Sequence, residues 1–206
     1  KTLRRWELAL LLGVALAALL GVWLDGAQAA LSDRVIRLHV LANSDSEADQ
    51  ALKLRVRDAV LAEAEELFVP GAGRAETEEL LRAHLYDLAA AGAEVVGEAG
   101  YSYPVTASLV HDYWFPPKTY TDFALPAGAY TALRIEIGAG GGQNWWCVVF
   151  PPLCLGSVSE TTQETALEAG LTENQVSLMT GEDEGYVVKF KAVELLEQFK
   201  GWLEGR

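Results

Sequence analysis

A chain of 206 residues, half of them hydrophobic, is long enough to bury a core and too apolar to be disordered. Its formal net charge of −13 argues against nucleic acid or anionic lipid as a partner, because either would repel it.

Lys1, Arg4 and Arg5 open the chain, followed by an apolar run from Leu8 to Leu24 and then Ala27-Gln28-Ala29. This is the basic, apolar and small-x-small order of a segment cut by signal peptidase. The run lies at the lower edge of the roughly 17–25 residues that span a bilayer as a helix. Two outcomes stay open, a cleaved signal peptide or a retained anchor. Basic residues before the run and an acidic chain after it orient the remainder outward. Residues 1–29 are therefore read as signal peptide or membrane anchor, and 30–206 as one extracytoplasmic domain.

From Arg34 to Ala42 the pattern alternates. Ile36, Leu38 and Val40 face one way and Val35, Arg37, His39 and Leu41 the other, as in a strand. Ser44 with Glu47 fits a capping box, which predicts a helix from there to about Phe68. Pro70-Gly71-Ala72-Gly73 ends it, and a second helix is predicted over Glu76 to Glu94. From Tyr103 the period becomes two. Strands are predicted over Pro104–His111, Thr119–Leu125, Tyr130–Ile137 and Trp145–Phe150, with turns at Pro126-Ala127-Gly128 and Gly138–Gly142. Short strands joined by tight turns read as an antiparallel β-meander. Residues 157–185 read as a linker or helical excursion, with Thr172-x-x-Gln175 as a helix start. Tyr186–Lys189 reads as a strand, and a C-terminal helix runs from about Ala192 to Leu203. The fold class is α+β: an N-terminal signal or anchor helix, strand–helix–helix, an antiparallel meander and a C-terminal helix.

Two constellations stand out. The first is Arg37, His39 and the strand-to-helix loop Asn43–Ser46, followed by Asp49, Gln50, Lys53 and Arg57 on the helix. Such a turn gathers backbone N–H groups and short polar side chains at a pocket rim. Asp49, Lys53 and Arg57 run beside the helix's apolar stripes. One reading is an internal Asp49–Lys53 pair with Arg57 snorkelling at the core edge, and the other is a partner-binding surface. The second constellation is Gly140-Gly141-Gly142-Gln143-Asn144-Trp145-Trp146-Cys147. Gln143 stands where a dinucleotide fingerprint needs glycine, and the glycines lie between strands, so a phosphate cradle is rejected in favour of a flexible hairpin turn. The adjacent tryptophans point to opposite sheet faces. One belongs to the core, and the other, beside Gln143 and Asn144, is a contact for a protein partner.

Cys147 and Cys154 are the only cysteines. In an exported chain the pair suggests a disulfide, while a reactive Cys147 with His39 or His111 as base is the alternative. The histidines, His39, His84 and His111, are isolated and no metal-ligand spacing occurs, so neither metal nor cofactor is expected.

Five stretches resemble the stage II sporulation protein R family of endospore-forming bacteria. They are Arg37-Leu38-His39-Val40-Leu41-Ala42-Asn43-Ser44-Asp45-Ser46 with its continuation to Val60, Tyr103-Pro104-Val105, Lys118-Thr119-Tyr120, Leu125-Pro126-Ala127-Gly128, and Gln143-Asn144-Trp145-Trp146-Cys147 through Cys154. The resemblance implies a signalling protein and not an enzyme, exported into the space between forespore and mother-cell membranes. There it would activate a membrane-embedded aspartic protease that processes a mother-cell sigma-factor precursor. Asn43, Asp45, Asp49, Lys53, Gln143, Asn144 and Trp145 are then expected to form the partner-binding surface. The membrane is met through the N-terminal segment until or unless it is cleaved. The competing reading is an exported hydrolase such as a cell-wall amidase, with Cys147 and His39 as nucleophile and base. A passive envelope component is a third.

Overall fold

The computed structural model describes residue 4, residues 10–15, residue 26 and residues 28–69, 71–153 and 162–180. In chain order these form β1 (Ile36–Leu41), α1 (Glu47–Glu66), α2 (Arg74–Ala83), α3 (Leu85–Glu98), β2 (Val105–Phe115), β3 (Lys118–Thr119) and β4 (Ala124–Leu125). There follow β5 (Gly128–Ile137), β6 (Asn144–Phe150), α4 (Thr162–Glu168) and α5 (Glu173–Thr180). The class is α+β, as expected. No helix among the described residues is long and apolar enough to cross a membrane. Most of the Leu8–Leu24 run, Cys154, and the strand and helix expected after residue 185 lie outside the described residues.

The expected meander is corrected. The main sheet runs β2-β5-β1-β6, with β1 parallel to β5 and antiparallel to β6. The first strand in the chain thus inserts between the last two, which sequence adjacency alone does not reveal. Every residue of β1 is buried, because both faces of this central strand are covered. One face carries Ile36, Leu38, Val40, Leu133, Ile135 and Cys147, packed against Leu52, Val56 and Val60 of α1 and Leu88 and Val96 of α3. The other face packs Phe115, Tyr130, Ala132 and Val148 against Leu31, Phe123, Leu125 and the α4–α5 pair. Two cores on one sheet therefore place Arg37 and His39, which alternate with Leu38, inside the second core.

Smaller differences have local causes. The helix expected over Glu76–Glu94 is two helices, broken at His84, whose backbone leaves helical geometry while its Nδ1 meets the Leu80 carbonyl. The strand expected over Thr119–Leu125 is the small β3–β4 hairpin. Helix α1 is capped by Ser46, whose Oγ accepts from the Asp49 N–H, and not by Ser44. Leu54 of α1 is exposed. Thr172 does begin a helix, its Oγ1 accepting from the Gln175 N–H.

Candidate functional site

The two constellations, some 90 residues apart in sequence, meet at one end of the sheet. The joint is the 138–143 connection, which does not form a hairpin. It must pass over the end of β1 to carry the chain from β5 to β6, and it is seated on the residues that follow β1. Gly142 N–H donates to the Ala42 carbonyl (2.9 Å) and Gly141 N–H to the Asn43 carbonyl (3.3 Å). Ala139 N–H donates to Asn43 Oδ1 (3.0 Å) and Gln143 N–H to Asp45 Oδ1 (2.8 Å). A Cβ on Gly142 would overlap the Ser44 carbonyl, and one on Gly138, whose φ is +60°, would overlap the Asn43 side chain. The glycines are therefore a contact surface and not a flexible turn.

Asp49 and Lys53 hold this joint from beneath. Asp49 is buried, and its Oδ2 accepts from Asn43 Nδ2 (2.9 Å) and Ser44 Oγ (2.5 Å). Those hydrogen bonds, that of Ser44 first, hold its carboxyl below the ordinary carboxylate value, because they favour the charged form. Lys53, also buried, donates to Gln50 Oε1 (2.6 Å) and to the Gln143 carbonyl (2.9 Å). Burial pushes its ammonium down, and the Asp45 carboxylate partly offsets this. The expected Asp49–Lys53 pair does not form. Both side chains lie on the same helix face as Val56 and Val60, where the turn and the glycine loop reach them before they reach each other. Expected as exposed or semi-exposed, they are instead internal struts.

What they present is a small surface. Asp45, Gln143 and Asn144 are exposed there, with Asn43 and Trp145 half-buried beside them. The Arg57 guanidinium stacks over the Trp145 ring, 4.6 Å from its centroid, and pairs with Asp58 (2.6 Å). That contact replaces the expected snorkelling and was invisible in the sequence because it joins a helix to an edge strand. The tryptophans do face opposite ways: Trp145 packs on the α1 side and Trp146 on the other.

Behind Asn144 lies a second polar group, built on His39, which the sequence placed in the first constellation and offered as a base for Cys147. His39 Nε2 is hydrogen-bonded to Asn144 Oδ1, and the ring packs against Tyr113, Phe115 and Trp146. Burial, reinforced by Arg134 and Arg37, lowers its pKa although the Asn144 hydrogen bond opposes this. Arg37 is fully buried and lies over the rings of Phe115 (4.1 Å) and Tyr130 (5.0 Å). The alternation of β1 marked both residues as sharing a face. Only the strand order reveals that this face is enclosed.

The Cys147–His39 dyad is contradicted. Cys147 lies opposite Leu38 and His39 opposite Trp146 across the β1–β6 ladder, so the thiol side chain and the imidazole project from opposite faces of the sheet. His111 is no substitute, since β2 is the far edge of the same sheet. Cys147 is buried, and no free cysteine occurs among the described residues.

Comparison with known proteins agrees with the placement of these motifs. The family model for stage II sporulation protein R matches residues 32–160, which run from before β1 to past β6. The stage II sporulation protein R of Bacillus subtilis (strain 168) is 39% identical over 124 residues, 60% of this chain and 55% of that protein. The match thus spans about half the length of that curated relative. No solved structure matches. With the family model covering more than half of the chain, including β1, the clamped turn and β6, the chain belongs to the stage II sporulation protein R family.

Proposed function

We propose that this chain is an exported signal of endospore formation that binds the extracytoplasmic part of a membrane-embedded aspartic protease. By favouring the protease's active state through differential affinity, it would promote processing of a mother-cell sigma-factor precursor. Membership of a sporulation family and the leader pattern of residues 1–29 support the setting, which is the space between forespore and mother-cell membranes or the outer face of the forespore membrane. The single observation that carries the binding role is the clamp. Asp45 and Lys53 fix the Gln143 backbone from both sides, and so hold Asp45, Gln143, Asn144 and Trp145 in one rigid patch. A patch ordered before binding loses little side-chain entropy on docking. A Cys147–Cys154 disulfide, which would fix the far end of β6, belongs to the same reading.

The test is co-expression of the chain with the protease and its precursor substrate, scored for cleavage. An Asn144→Ala, Trp145→Ala double variant is expected to remain folded and secreted and to lose stimulation. Normal stimulation by that variant would remove the patch from the binding surface.

A further inference from the structure

The two edges of the main sheet differ. β6 is flanked by the β3–β4 hairpin, whose Tyr120 hydroxyl donates to the Trp146 carbonyl (3.3 Å). β2, the other edge strand, has no backbone partner on its outer side among the described residues. The Pro104 carbonyl accepts from the N–H of Gly138, which follows β5 (2.8 Å). By alternation Thr106, Ser108 and Val110 turn their backbone groups to β5, and Val105, Ala107 and Leu109 turn theirs outward. Such a row of unpaired groups is a template for another strand, and proteins usually blunt it with charge, proline or a bulge. Here the bulge comes only after Val110, and Val105-Thr106-Ala107-Ser108-Leu109-Val110 holds neither charge nor proline.

The helix above this edge matches it. α3 packs between β2 and α1 at Gly92, where a Cβ would meet Val105, Val56 and Val60. Its acidic residues Asp87, Glu94 and Glu98 fall on one helical line, and Glu98 reaches Arg55 of α1 (3.8 Å), so that line is turned toward α1. The flank away from α1, above the free edge, carries Tyr86, Ala89, Ala93 and Gly97. Strand and helix together thus form an uncharged strip in a chain of net charge −13. The exposed aromatic side chains among the described residues, Tyr86, Tyr101 and Trp114, all border it. Tyr86 and Trp114 lie at one end of the strip, and Tyr101 lies with Gly97 at the other.

These features select a second copy as the occupant. Two copies repel each other wherever their carboxylates face, and along this strip none do. A two-fold axis also sets the bulky end of one strip against the small Gly97 end of the other. We propose that the outer edge of β2 pairs antiparallel with the same edge of a second copy of this chain, about an axis at Ala107. The two four-stranded sheets then become one. This register uses every outward group before the bulge: Val105 of one copy meets Leu109 of the other, and Ala107 meets Ala107. The Asp45–Trp145 patch stays open in both copies, because it lies at the β6 edge. The proposal rests on the β2 edge and not on the activator reading.

The test is sedimentation equilibrium of the full chain in density-matched detergent micelles over about 1–100 μM, the range of weak specific association. Monomer is expected to pass to dimer across that range, and amide exchange at Val105, Ala107 and Leu109 to slow as concentration rises. Ala107→Pro removes an outward N–H and leaves the ladder to β5 intact. Ala93→Glu puts a carboxylate into the strip at an exposed helix position. Each is expected to raise the dissociation constant by about tenfold or more, and Ala93→Glu decides the matter if Ala107→Pro does not fold. Thr106→Cys and Ser108→Cys chains, mixed under mild oxidation, are expected to cross-link, since the register sets these positions opposite each other within disulfide reach. A monomer at every concentration, or a dimer of unchanged strength in both variants, overturns the proposal. So does protection of the β2 amides that is independent of concentration, which would assign the edge to another segment of the same chain.

Discussion

The ammonium of Lys53 donates to the main-chain carbonyl of Gln143 across 2.9 Å, tying the first long helix to a loop 90 residues later in the chain. Lys53→Ala leaves that carbonyl and Gln50 Oε1 without their donor in a part-buried setting. The expected loss is about 1–3 kcal/mol of stability, read from urea midpoints. Amide exchange at Gly142 and Gln143 is expected to accelerate with it. Unchanged stability and exchange would mean that the tether does not order the loop.

Gly142→Ala tests the same joint from the loop side. Its Cβ would overlap the Ser44 carbonyl, and a backbone neighbour cannot swing aside as a side chain can. The expected cost is about 1–3 kcal/mol, as for other overpacked sites. Gly97→Ala is the control, since nothing lies within 4 Å of a Cβ there; it replaces glycine within a helix and should be neutral or stabilising.

Much of this joint was legible in pieces. Alternation located β1, and it correctly put Arg37 and His39 on one face. The residue types of the Asn43–Lys53 turn and of Gln143–Trp145 marked both as places of interest. Their meeting was not legible, because it depends on β1 inserting between β5 and β6, a non-local pairing that local periodicity does not encode. The same gap concealed the Arg57–Trp145 stack. It also left the Cys147–His39 dyad open until the strand register placed the two side chains on opposite faces.

Acid should weaken the fold in two windows. Burial holds His39 below its ordinary value of 6.5, so the unfolded chain binds the proton first. The stability His39 contributes is complete above about pH 6.5 and is lost as pH falls from there through the folded value. Asp49 is held below its ordinary 3.8, chiefly by the Ser44 hydroxyl. Its contribution is present above about pH 3.8 and is lost as pH falls through the lower folded value. Urea midpoints against pH are expected to lose the upper limb in His39→Gln and the lower one in Asp49→Asn. Parallel curves for parent and variants would assign the acid sensitivity elsewhere.

Thiol titration of the denatured, unreduced chain is expected to find no free thiol if Cys147 and Cys154 are bridged. Reduction should then cost about 2 kcal/mol, as for a short closed loop. Two titratable thiols would exclude the bridge.

The most direct measurement is precursor cleavage in cells carrying the protease and its substrate, with and without this chain. Cleavage is expected only when the chain is present, and it should be lost with the Asn144→Ala, Trp145→Ala variant while the secreted amount is unchanged. Cleavage that proceeds equally without the chain would contradict the activator role.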